Sequence, residues 1–242
     1  MTDTDLDPCR MTRRQWMATS GAMSVLSATS AAFAQERVEE SAAPVPARPV
    51  RLQIALFEGF ELVDALAPFD AWKIAGIVGA PIQASLFSMD GAEEVTALHG
   101  IVVKPDAVFD PDADVLVVPG APAVWRAGIT PAGLPALMQE WIAAGKQLAT
   151  VCTGAVFAAR QGLLQGRNAV SHQNARSILE EQGAIWQNAC VVDDGDILRS
   201  AGNLSGVDLA LYVIERYAGA PSAIQVETVI EYVRRGTVWQ SP

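Results

Sequence analysis

Cysteine and histidine are scarce in this chain, whose 242 residues include three Cys and two His. No C-x-x-C pair occurs, and these side chains have no spacing typical of a four-ligand zinc site. The sequence therefore predicts no bound metal.

Charged residues are also few, at 18% of the chain, and they leave a formal net charge of −10. An acidic surface repels nucleic-acid phosphates and anionic lipid, so neither nucleic acid nor a membrane is an expected partner. Half of the residues are hydrophobic, which is enough for a sizeable core and too much for a disordered chain. We therefore expect one folded domain with short attachments.

The N-terminal region has the order of features of an export signal. Thr12–Met17 contains two consecutive arginines followed by bulky apolar residues, as in the twin-arginine motif. The apolar stretch that follows is too short and too polar for a permanent membrane span, and Ala32-Phe33-Ala34 is a small-x-small cleavage site. Residues 1–34 are therefore predicted to be a twin-arginine-type signal peptide, and the mature protein to be periplasmic or secreted.

The other segment boundaries follow from composition. Met11 lies immediately before the arginine motif and is an alternative start. Residues 35–50 contain acidic residues and prolines and are predicted to be a solvated linker. The folded domain is expected over residues 51–235, with residues 236–242 as a tail.

Within the domain, apolar runs of strand length alternate with segments of helical periodicity. The strands are predicted over 52–57, 82–87, 114–118, 148–151, 184–192 and 197–200, with a hairpin around His99 and Gly100. The helices are predicted over 63–78, 133–145, 154–164, 173–182, 204–218 and 221–235. Several strands lack polar alternation, which is typical of strands buried on both faces. The pattern predicts a single flavodoxin-like α/β domain, in which helices cover both faces of a parallel sheet.

Three candidate functional residues follow the carboxyl ends of predicted strands: Asp64, Gly120 and Cys152. Ligands usually bind at this edge of a parallel sheet. The sequence therefore places the candidate site there.

Cys152 lies directly between a predicted strand and a predicted helix. The positive end of the helix dipole favours a thiolate and would lower the thiol pKa below its free value of about 8.5. Thr153 and Gly154 are small enough for a nucleophile elbow, in which the Thr153 amide points at a developing anion. The alternative is a buried structural cysteine, an interpretation that fits Cys190.

Three segments resemble the ThiJ/PfpI superfamily. Val151-Cys152-Thr153-Gly154 is similar to its elbow, and Ser200–Leu211 to its S-x-G-x-x-x-G-x-D-x-A-L stretch. Phe57–Asp70 is similar to the F-P-G…L-D-x-x-G-P segment that marks the isonitrile hydratase branch. The resemblance covers about residues 51–232 and implies a class I glutamine amidotransferase-like fold, a homodimer, and no metal or organic cofactor.

The resemblance also implies site residues and an activity. Cys152 would be the nucleophile, Asp64 would transfer protons, and the amides of Thr153 and Ala121 would stabilise developing charge. The residues expected to bind substrate are Gly120, Ala121, His172 and Glu58. The implied reaction is the addition of water to an isonitrile, which gives an N-substituted formamide.

Departures from the family pattern leave alternatives open. Ala121 replaces the second glycine of P-G-G, Glu58 replaces a proline, and Val170–Gln173 replaces T-T-H-W. One alternative is glyoxalase or deglycase chemistry on small aldehydes, with Glu58 sharing a proton with the cysteine and His172 within reach. The other is a non-enzymatic periplasmic domain that senses a ligand or the thiol redox state.

Overall fold

The computed structural model describes residues 48–234 and 236–241. The predicted signal peptide and residues 35–47 of the predicted linker lie outside this range. Within it, no helix is both long enough and apolar enough to cross a bilayer.

Eleven strands and seven α-helices occur in the described residues, and they follow the predicted alternation. The strands are β1 (Val50–Leu56), β2 (Ile82–Ser88), β3 (Val95–Thr96), β4 (Val102–Val103), β5 (Val115–Val118), β6 (Gln147–Val151), β7 (Asn168–Ala169), β8 (Ile185–Trp186), β9 (Val191–Asp194), β10 (Ile197–Ser200) and β11 (Val238–Gln240). The helices are α1 (Leu62–Ile77), α2 (Pro122–Arg126), α3 (Leu134–Ala143), α4 (Gly154–Arg160), α5 (Arg176–Glu181), α6 (Ser205–Ala218) and α7 (Ala220–Val229).

A seven-stranded sheet in the order β11-β9-β10-β6-β5-β1-β2 forms the centre of the domain. All neighbours in it are parallel except β9 and β10. Every residue of β5 and β6 is buried, as the lack of polar alternation predicts, and the buried residues include Gln147 and Thr150 of β6. Helices flank the sheet, so the predicted α/β class is confirmed.

The structure departs from the predicted pattern at the far edge of the sheet. The extended segment predicted over 184–192 divides into β8 and β9, which belong to different sheets. β9 and β10 are antiparallel because Gly195, with a φ of 83°, forms the tight turn between them. Val238–Gln240, left in a terminal tail by sequence analysis, forms β11 and pairs with β9.

Helix α6 holds α1 against the carboxyl end of β6. A Cβ on Gly206 would lie 3.3 Å from Pro68 in α1 and 3.3 Å from Val151 in β6, so the helices approach closely. The indole of Trp72 donates to the carbonyl of Ala210 at 3.2 Å across the same contact. This packing brings the first turn of α1 next to the end of β6.

Candidate active site

Cys152 forms a sharp corner between β6 and α4. Its φ of 56° lies in the left-handed region, which is strained for a residue with a side chain. Both of its backbone polar groups are bonded: the amide donates to the carbonyls of Ser200 (3.2 Å) and Ala201 (3.0 Å), and the carbonyl accepts the Ser171 hydroxyl (2.7 Å). The backbone therefore has the geometry of an elbow.

Two glycines are required by the close packing around this corner. A Cβ on Gly154 would overlap the carbonyl oxygen of Val118. A Cβ on Gly120 would lie 2.5 Å from Thr153 Oγ1 and 2.6 Å from Asp64 Oδ2. The predicted residues Asp64, Gly120 and Thr153 are therefore in direct proximity.

Asp64 lies in the first turn of α1 and is fully buried. Its Oδ2 accepts the Gly120 amide at 3.0 Å, while Oδ1 is buried without a nitrogen or oxygen partner among the described residues. The pKa of this carboxyl is raised to about 7, chiefly by burial and to a lesser degree by the negative charge of Glu61, while the Gly120 amide and the Cys152 thiol oppose the shift. Asp64 can therefore both accept and donate a proton near neutral pH.

The Cys152 thiol faces this carboxyl and is only 2% exposed. The thiol pKa is raised to about 12, chiefly by burial and next by the charge of Asp64, whereas the backbone amides of Asn203 and Thr153 oppose the rise. The expectation of a lowered pKa is thus not met, because burial and a neighbouring carboxylate outweigh the dipole of a seven-residue helix. The cysteine of the resting site is a thiol, and it needs a base.

Thr153 and Ala121 contact each other. The Ala121 amide donates to Thr153 Oγ1 at 3.1 Å, and so it orients this hydroxyl, whereas it was expected to face a substrate. The Thr153 amide, in contrast, bonds the sulfur of Cys152 as an anion-stabilising group should.

Glu58 lies apart from this group. Its exposed carboxylate accepts the amide of Thr96 at 3.0 Å, beside the β3–β4 hairpin. The carboxyl that shares its surroundings with the Cys152 thiol is Asp64, and so the structure does not support the proton-sharing role considered for Glu58.

His172 lines a cavity of about 300 Å³ together with Ser171, Gly202 and Asn203. Two of these residues contact the nucleophile, since the Ser171 hydroxyl bonds the Cys152 carbonyl and the Asn203 amide bonds its sulfur. His172 therefore lines a cavity that adjoins the elbow, and its role in substrate binding stays a prediction. Sequence analysis did not identify Ser171 or Asn203 as site residues. The local sequence signal was the pair Gly202-Asn203, because Asn tolerates a positive φ, which is 39° at Asn203.

The second described cysteine is not part of this arrangement. Cys190 is half-buried, and its amide donates to the Thr237 carbonyl at 3.0 Å next to β11. Across the described ranges, no cluster of three or more His, Cys, Asp or Glu side chains could hold a metal ion.

The profile of the DJ-1/PfpI family matches residues 50–216, which include the elbow and Asp64. The chain belongs to the DJ-1/PfpI family. The superfamily resemblance of the sequence is thereby confirmed.

Individual DJ-1/PfpI proteins are similar at low identity. An isonitrile hydratase from Pseudomonas putida is 29% identical over 190 residues, which are 76% of this chain and 78% of that protein. A deglycase from Thermococcus kodakarensis is 30% identical over 157 residues, which are 62% of this chain and 89% of that protein. The crystal structure of Drosophila melanogaster DJ-1beta superposes with a TM-score of 0.67 at 20% identity, covering 77% of this chain and all of that one, and so it shows the fold alone.

Proposed function

We propose that this protein is a cysteine-dependent hydro-lyase of the isonitrile hydratase type, which adds water to a small isonitrile to give an N-substituted formamide. The observation that carries the proposal is the buried Asp64 carboxyl against the Cys152 thiol, with a pKa of about 7. A general acid–base with a pKa near the working pH is what repeated proton transfer requires. The similarity to the Pseudomonas putida isonitrile hydratase supports the substrate class.

In the first half-reaction, sulfur attacks the terminal carbon of R–N≡C. The Asp64 carboxylate removes the thiol proton as the S–C bond forms and then delivers that proton to the same carbon. The product is the thioimidate R–N=CH–S–Cys152. A thiol with a raised pKa depends on this base, which is why the carboxylate must lie against it.

In the second half-reaction, water adds to the thioimidate carbon. Asp64 takes one water proton and passes it to nitrogen, which gives R–NH–CH(OH)–S–Cys152. The C–S bond then breaks, the hydroxyl becomes the formamide carbonyl, and its proton returns to sulfur through Asp64. The amides of Thr153 and Asn203 bond the sulfur and stabilise it as it leaves.

The direct test is formamide production from a panel of alkyl and aryl isonitriles. Cys152→Ala should lower the rate by about a thousandfold or more, because no nucleophile remains. Cys190→Ala is the matched control and should retain wild-type rates. If the wild type makes no formamide from any isonitrile, the proposal is rejected.

Aldehyde chemistry is the second candidate, favoured by the match to a deglycase over 89% of that protein's length. Cys152 and Asp64 would serve either reaction, so the substrates must distinguish them. Lactate from methylglyoxal without formamide from isonitriles would select this candidate. Glu58→Gln should leave either activity intact, because Glu58 bonds Thr96.

A further inference from the structure

The cavity beside the nucleophile has a definite chemical character. It measures about 300 Å³, and its wall is formed by three segments, Val170–Gln173, Trp186–Ala189 and Ala201–Asn203. Three residues of this wall contact Cys152: the Ser171 hydroxyl bonds its carbonyl, the Ala201 carbonyl accepts its amide, and the Asn203 amide lies against its sulfur. The cavity therefore adjoins the elbow.

The imidazole of His172 is held in one orientation at this wall. Its Nδ1 accepts the backbone amide of Asn174 at 3.1 Å, so the N–H of the ring is on Nε2. Gly202 makes room for the ring, since a Cβ there would lie 2.7 Å from His172 Cδ2. His172 therefore presents a fixed hydrogen-bond donor to a ligand.

The rest of the wall carries no charged side chain and is largely polar. Its polar side chains belong to Ser171, Gln173, Gln187, Asn188 and Asn203, and its apolar ones to Val170, Trp186, Ala189 and Ala201. The guanidinium of Arg176 lies over the Trp186 ring, 5.5 Å from its centroid, and is already paired with Glu180 at 2.8 Å. An ionised ligand would lack a counter-charge, and a hydrocarbon ligand would leave the polar wall without partners.

A second cavity in the described part of the chain has the opposite character. It measures about 430 Å³ and is walled largely by apolar side chains, with Phe57, Met89, Val124, Ile129 and Pro131 among them. This cavity is linked to the elbow through Phe57, whose ring packs against that of Phe157 in α4 with 5.9 Å between the ring centres. The two cavities therefore favour substrates of different polarity.

We infer that the His172 cavity selects small isonitriles that carry an uncharged, oxygen-bearing substituent, to which His172 Nε2–H donates a hydrogen bond. This inference rests on the proposed isonitrile hydration and names its substrate class. Within that class, the site discriminates against hydrocarbon isonitriles of the same size.

The test compares two isonitriles of matched shape, 2-methoxyethyl isocyanide and n-butyl isocyanide. Wild-type kcat/KM, measured as formamide formed, should favour the methoxyethyl compound by about tenfold, the value of one hydrogen bond to a desolvated acceptor. His172→Phe should remove the preference mainly through KM for the ether. Ile129→Trp, which narrows the apolar cavity, should leave the preference unchanged.

A preference for the butyl compound, or an ether preference that survives in a folded His172→Phe variant, overturns the inference while hydration stands. If neither compound is hydrated, the proposed function fails separately. The cavity is then tested by calorimetric titration of Cys152→Ala with N-(2-methoxyethyl)formamide and N-butylformamide. Equal affinity for the two formamides, or no binding of N-(2-methoxyethyl)formamide, also overturns the inference.

Discussion

Asp64 and Cys152 are buried against each other, and the loss of water raises both pKa values. The charge of Asp64 raises the pKa of Cys152 further, whereas the hydrogen bond from the thiol lowers the pKa of Asp64. The carboxyl has a pKa of about 7 and the thiol of about 12, so Asp64 loses its proton first as the pH rises. The reactive state at neutral pH is a carboxylate beside a thiol.

Replacing Asp64 with Asn should lower the pKa of Cys152. The substitution removes a negative charge that raises it, and one neighbouring charge is worth roughly one to two pKa units. The thiolate absorbance near 240 nm, with Cys152→Ser as the blank, measures this change. Hydration should nonetheless be lost, because the base is gone; an active Asp64→Asn variant would contradict the mechanism.

The same carboxyl makes folding stability depend on pH. Its pKa is about 3.8 in the unfolded chain and about 7 in the folded protein, so between these values the folded state holds the extra proton. The free energy of unfolding should therefore fall as the pH rises from 4 to above 7, by about 2 to 4 kcal/mol from this group.

Urea unfolding of wild type and Asp64→Asn across this pH range isolates the effect of the carboxyl. The variant should gain stability relative to wild type at pH 8 and show little gain at pH 4. An equal difference at both pH values would mean that the folded pKa of Asp64 is not raised.

At the scale of elements, the elbow depends on how closely α4 approaches the end of β5. Gly154 opens α4 directly against the Val118 carbonyl, and the carbonyl oxygen of Pro119 would lie 3.1 Å from an added Cβ. Neither oxygen belongs to a flexible side chain. The corner thus tolerates only glycine at this position.

Gly154→Ala should lower the free energy of unfolding by about 3 kcal/mol, because backbone must move to relieve the overlap. Gly79→Ala is the control: its φ is 94° and no other described residue lies within 4 Å of an added Cβ, so only backbone strain of about 1 kcal/mol is expected. Chemical denaturation measures the free energy of unfolding of both variants. If both lose the same amount, contact between residue 154 and the end of β5 is not the cause of the destabilisation.

At the scale of the whole molecule, the sheet is completed by residues distant in sequence. β11 pairs with β9, the side-chain amide of Gln240 donates to the Tyr212 hydroxyl at 2.8 Å, and the backbone amide of Ser241 donates to the Asp193 carbonyl at 2.9 Å. The Tyr212 hydroxyl in turn bonds the Asp193 carboxylate, which also pairs with Arg216. The C-terminal strand therefore links α6 to the edge of the sheet through the hydrogen bonds of Tyr212.

A chain that ends at Thr237 should have a melting temperature lower by about 3 to 8 °C, since β9 becomes an unpaired edge and the Tyr212 network loses a member. Scanning calorimetry measures the shift. The variant Gln240→Ala removes the side-chain bond to Tyr212 but keeps β11, and it should show a smaller loss. An unchanged melting temperature after truncation would show that β11 does not contribute to stability.

The amino-acid sequence by itself determined the α/β alternation and the place of the candidate nucleophile. Strands such as Val115–Val118 and Gln147–Val151 are buried on both faces. Such strands lack the alternation of polar and apolar residues, and this pattern can be recognised from the sequence alone. The motif around Cys152 similarly depends on neighbours along the chain, as does the resemblance that indicated Asp64.

Only the tertiary structure decided the protonation of that site and the end of the sheet. The pKa of Cys152 rises first because the surrounding elements bury the thiol, and further because the packing of α1 brings the Asp64 carboxylate next to it. β11 was missed because its three residues carry no pattern of their own and become a strand only through pairing with β9. Burial, charge proximity and edge pairing act through space, and local sequence does not record the distances on which they depend.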